Sequence, residues 1–142
     1  MRRPRVYAAH PIGTYGSAYE RRALAALRRL LPGAELLNPA GMFTSSEDWL
    51  DRWPDVLDSL DALVVFPDER GAIGAGCVQE VYDAHRRLVP VALFDPGDRK
   101  LRRLAGLDFP DLPTPRNAGH PVAGETLAWE LAARPPRIRD PS

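Results

Sequence analysis

Glu80 stands in the run GAIGAGCVQEVYDAHRR, four residues after Gly76. The glycines read as a turn and Cys77 to about Leu88 as a helix, which puts this carboxylate in the helix's first turn. There the helix dipole and the free N–H groups favour an anion. Fixed and ionised beside a sugar-sized pocket, it is a candidate nucleophile. Equally, helix N-termini favour glutamate for stability alone. Tyr7, in the apolar run VYAA, is either a core tyrosine or a phenol that aims a carboxylate. His10 ends that run and can bind phosphate or a hydroxyl, or cap a loop. Asp68 can accept from a base or a ribose, or serve a turn, and Asn38 is also a common turn former. Trp49 and Trp53, at i, i+4, read as core. Cys77 reads as a buried small residue, at a helix N-terminus where a thiol can also become reactive.

The elements that must position these residues alternate between strand and helix. Val6–Ala9 is a short buried strand. A Leu/Ala/Arg helix follows from Ser17 or Ala18 to Leu31, with Ser17 and Glu20 in capping-box spacing. Pro32-Gly33 ends it, and 34–37 is a second strand closed by Asn38-Pro39. Ser45 or Ser46 caps a helix to about Leu60, which Pro54 kinks or splits. Ala62–Phe66 is a continuous apolar strand, and Pro90–Phe94 is another after the helix that carries Glu80. Residues 101–109 read as one more strand or helix, and 125–133 as a short helix.

This alternation predicts an α/β fold. We expect a single doubly wound domain with a mostly parallel four- or five-stranded sheet in a flavodoxin- or Rossmann-like order. The domain covers 1–109, and 110–142 is a Pro-rich extension packed on the same domain or on a partner subunit. Right-handed crossovers place the first strand between the second and third. Ligands of such sheets bind at the carboxyl ends of the strands, where strand order reverses. Two glycine-rich loops flank that point, His10–Gly16 and Pro67–Gly76. Within them His10, Ile12, Gly13, Tyr15, Asp68, Gly74 and Gly76 are the candidate substrate contacts, with Asn38 at the end of the second strand.

Several functions are excluded or disfavoured. The formal net charge is zero, so nothing global points to a nucleic acid polymer or an anionic membrane. One cysteine makes no disulfide framework, and the histidines and acids show no metal spacing. There is no GxxxxGK[ST], and GAIGAGCVQ lacks the third glycine of a dinucleotide fingerprint. No cofactor is implied. The N-terminal apolar run stops at Ala9, too short for a leader or a span, so a cytoplasmic location is expected. The charge is segregated, Arg-rich before residue 30 and acidic from Glu47 to Glu69, as two solvated faces would be.

The ordered set VYAAHPIG, LLNPA, SLDALVVFPD, GAGCVQE and PVALF, over about residues 5–95, resembles the nucleoside 2-deoxyribosyltransferase-like superfamily. The resemblance implies an enzyme that cleaves or exchanges the N-glycosidic bond of a nucleoside or nucleoside 5′-monophosphate. It maps the nucleophile to Glu80, its orienting tyrosine to Tyr7 and a strand-leading aspartate to Asp61. It also implies a homodimer or larger assembly, because a neighbouring subunit often completes the site. The essential acid that relatives carry before the third strand aligns with Trp53 here. Asp55, its near neighbour, or Asp68 would then have to help the leaving base. A non-catalytic nucleotide-binding module of the same fold is the alternative.

Overall fold

The computed structural model describes residues 3–103. The expectations for 110–142, and for a helix over 125–133, lie outside the described residues. The elements run β1 Arg5–Ala9, α1 Ala18–Leu30, β2 Glu35–Leu37, α2 Ser46–Asp58, β3 Ala62–Val65, α3 Ala75–Arg86, β4 Val91–Asp95 and β5 Lys100–Arg103. Single 3₁₀ turns at Ile12–Thr14 and Pro39–Gly41 precede α1 and α2.

The fold is α/β, with one five-stranded sheet in the order β2-β1-β3-β4-β5. β1 lies between β2 and β3, as right-handed crossovers require. The expectation of a mostly parallel sheet needs correction, because the sheet is mixed. β2, β1, β3 and β4 pair in parallel, whereas β5 runs antiparallel to β4, with Asp95 opposite Lys100 and Ala92 opposite Arg103. The reason is the link: residues 96–99 are too few for a crossover and long enough for a hairpin. Asp95 accepts from Gly97 N–H at 2.8 Å in that turn, and Arg99 takes φ 57°.

The middle of the sheet is dry. Tyr7, Ala8 and Ala9 of β1, Leu63, Val64 and Val65 of β3, and Phe94 of β4 are all buried. α1 offers Ala23, Leu24 and Leu27 to this core at helical spacing, and α2 offers Trp53 and Leu57. Ser17 caps α1 by accepting from Glu20 N–H at 3.0 Å, and Ser45 caps α2 by accepting from Asp48 N–H at 3.0 Å. Pro54 neither splits nor ends α2. Its ring sits on the exposed face of the helix, away from the core that Trp53 and Leu57 enter. Asp61, just before β3, ties the amino ends of β3 and β1 together, accepting from Arg5 N–H at 2.8 Å. No helix among the described residues is long and apolar enough to cross a membrane.

Candidate active site

A cavity of about 690 Å³ opens at the carboxyl ends of the parallel strands. One wall is the β1–α1 loop, through Pro11, Ile12, Gly13 and Tyr15. The start of α3, Gly74–Cys77, forms a second wall. The third comes from Pro39, Ala40, residues 43–46, Trp49 and Leu50 around the start of α2. Tyr7 and Glu80 also line it. Ile12 and Leu50 are 74% and 63% exposed, so an apolar lip faces solvent.

Glu80 is 6% exposed and accepts two hydrogen bonds on the same oxygen, Oε2. One comes from the Tyr7 hydroxyl, the other from the Trp49 indole N–H at 3.1 Å. Oε1 has no hydrogen-bond partner among the described residues and is the oxygen left for a ligand. Burial pushes the Glu80 carboxyl up to about 7, against the pull of the two donors and with a further push from nearby Asp83. Near neutral pH the group is therefore divided between carboxylate and acid. Tyr7 is driven strongly upward by burial and then by Glu80, so the phenol keeps its proton and donates. Tyr15 is raised by burial first and by Glu80 second, and it also stays a neutral donor. The Cys77 thiol is pushed up by burial and by Glu80, which removes it as a reactive thiolate.

The expected reason for Glu80's position does not hold. α3 starts at Ala75 with Gly74 as its cap, so Gly76 is already helical and Glu80 falls in the second turn. The first turn contains no acid. The helix dipole acts over one turn, and what holds the carboxylate is instead a pair of side chains from β1 and α2. Trp49, read as core, is the residue that sequence reasoning missed. A signal for it was present. Trp49 and Trp53 are spaced i, i+4 on α2, and Glu80 and Asp83 are spaced i, i+3 on α3. The two helices match rung by rung, since Trp53 donates to Asp83 Oδ2 at 3.0 Å. Buried indoles need acceptors, and two acids at helical spacing supply them.

The other sequence candidates separate into groups. Ile12, Gly13, Tyr15, Gly74 and Gly76 line the cavity beside Tyr7 and Glu80. His10 lines it too, but both its ring nitrogens are engaged, with Ala8 O at 2.7 Å and Glu20 Oε2 at 2.7 Å, so neither is left for a phosphate or hydroxyl. Asn38 lies behind the wall. It accepts from Ala40 N–H at 3.0 Å and shapes the turn that presents Pro39 and Ala40. Asp68 folds onto its own loop, accepting from Arg70 and Ala72 N–H, each at 2.9 Å, and does not line the cavity. Asp55 is exposed on α2 and away from the lining. Glu80 is thus the one carboxylate among the described lining residues. Those residues also form no His/Cys/Asp/Glu group able to hold a metal ion.

Compared with known proteins, the chain matches no family model, no curated protein and no solved structure.

Proposed function

We propose that the protein cleaves or exchanges the N-glycosidic bond of a nucleoside, with Glu80 as nucleophile. The observation that carries this reading is the buried Glu80 carboxylate, fixed through Oε2 by Tyr7 and Trp49, with Oε1 unbonded among the described residues at a cavity of nucleoside size. In the ionised form, Oε1 attacks the anomeric carbon. The bond to the base nitrogen breaks, its electron pair leaves with the base, and water at the open mouth supplies the base's proton. The charge passes through an oxocarbenium-like state to a glycosyl ester, as in retaining glycoside hydrolysis. Water then releases the sugar, or a second base takes it. Tyr7 and Trp49 hold the carboxylate in the attacking geometry, which lowers the cost of orienting it. The aromatic rings of Phe43, Trp49 and Tyr15 in the lining suit the flat face of a base.

The lining favours the uncharged nucleoside over its 5′-monophosphate. Among the described residues no Lys or Arg lines the cavity. Arg21 donates to Gly16 O at 3.1 Å, and Arg52 is held by Met42 O and Asp48. A second reading, a nucleotide-binding module without turnover, is favoured by the lack, among the described residues, of a second lining carboxylate to protonate the leaving base.

The test is free base released from a panel of nucleosides and 5′-monophosphates, followed by chromatography with and without an acceptor base. Release from nucleosides that disappears in a folded Glu80→Ala variant is the expected result. Full activity in that variant overturns the mechanism. Saturable binding without release supports the second reading.

A further inference from the structure

His10 and Glu20 are 1% and 5% exposed, and neither enters the chemistry proposed for Glu80. His10 Nδ1 faces the Ala8 carbonyl at 2.7 Å. A carbonyl only accepts, so Nδ1 carries a proton. Nε2 lies 2.7 Å from Glu20 Oε2, and two bare lone pairs do not rest at that distance, so one proton sits between them. The second carboxylate oxygen, Oε1, accepts from Gly16 N–H at 3.0 Å. The pair is neutral as a unit wherever the shared proton resides, which is what lets it stay buried.

The sequence between His10 and Gly16 is the loop that walls the cavity, with Pro11, Ile12, Gly13 and Tyr15 in the lining. One carboxylate therefore ties both ends of that loop, His10 at its entry and Gly16 at its exit. Gly16 adopts φ +78°, the left-handed region that glycine takes at little cost. The His10 ring in turn stacks on Phe66 at 4.5 Å and meets the edge of Tyr15 at 5.0 Å, so the clamp also sets the Tyr15 ring.

We propose that Glu20 and His10 are positioning residues, which close the Pro11–Gly16 loop into a cavity wall and so set substrate affinity, Glu20 from behind the lining. The kinetic half of the test rests on the nucleoside reading above, and the exchange half does not. Glu20→Ala cuts both ties. Glu20→Gln keeps them, because its amide oxygen accepts from Gly16 and its amide nitrogen donates to neutral His10. With the best nucleoside of the panel, KM should rise about tenfold in Glu20→Ala with kcat within about threefold, and Glu20→Gln should stay within about threefold in both. Amide hydrogen exchange at Gly16 and Tyr15 should accelerate about tenfold in Glu20→Ala alone, while the β3 amides keep their protection. An unchanged KM in folded Glu20→Ala, or Glu20→Gln as impaired as Glu20→Ala, overturns the proposal. If Glu20→Ala does not fold, Glu20→Asp, too short to reach both partners, replaces it under the same criteria. If the parent protein releases no base from any nucleoside, the nucleoside reading fails and exchange alone decides. Acceleration in the alanine but not the glutamine variant then sustains the clamp, and unchanged protection overturns it.

Discussion

Glu20 and Glu80 are both buried glutamates, and each is held from β1 or the residue that follows it. Their partners differ in kind. Glu20 faces an imidazole that brings a proton to share, and its other oxygen is taken by a backbone N–H. Glu80 faces a phenol and an indole, neutral donors that cannot give it a compensating charge, and its other oxygen has no partner among the described residues. Burial without a counter-charge is what raises the Glu80 carboxyl to about 7. The contrast teaches that burial alone does not mark a candidate catalytic carboxylate. The marks are an unmatched charge, an unoccupied oxygen and a cavity in front of it.

The largest break in this comparison is Glu80→Ala, which should reduce base release by on the order of 10³-fold or more while circular dichroism stays unchanged. Glu80→Gln sharpens it through stability. A free glutamate ionises near 4.5 and folded Glu80 near 7, so the folded state loses about 3 kcal/mol as pH rises between those values. The glutamine variant escapes that loss. Its advantage in denaturant melts should be near zero below pH 4.5 and full above about pH 7.

Tyr7→Phe should come next, with activity at neutral pH lower by about 30-fold. The Tyr7 hydrogen bond lowers the Glu80 pKa, so its loss moves the acid limb of the pH–rate profile upward. A profile that stays in place would mean that Tyr7 does not tune Glu80. Trp49→Phe should shift the limb in the same direction with a smaller loss, about fivefold, because one neutral donor is removed and the aromatic lining remains. Asp55→Asn should be the smallest effect, within about twofold of the parent in kcat/KM, since Asp55 is exposed and off the cavity. A loss of 100-fold there would restore Asp55 as the acid for the leaving base.

Much of the scaffold was legible from period and punctuation. VYAA and ALVV are apolar because both faces of the central strands are covered, and Ser17 and Ser45 stand where orphan N–H groups need a cap. The direction of β5 was less legible, because Lys100–Arg103 is too short and too polar to declare its partner. Within the site, the glycine-rich loops announced themselves as walls, yet the two loops behave differently. The first turns Pro11–Tyr15 toward the cavity. In the second, Asp68 folds back on its own backbone and Ile73 is buried, so only Gly74 onward reaches the lining. A short polar side chain has a local and a distant partner available, and the sequence does not say which it takes.

The sequence by itself determined the order of strands and helices, the place of the crevice at their carboxyl ends, and the presence of Tyr7 and Glu80 beside it. Those follow from local periodicity and chain handedness, which act over a few residues at a time. Tertiary structure decided what surrounds Glu80. Tyr7 is 73 residues from it along the chain and Trp49 is 31, and only packing of α2 and α3 over β1 brings their donors onto one oxygen. Packing likewise engaged both ring nitrogens of His10 at the cavity wall, because Glu20 reaches it only once α1 has folded back beside the strand. Hydrogen bonds and desolvation depend on distances of a few ångströms between remote residues, and those distances exist only in the folded chain.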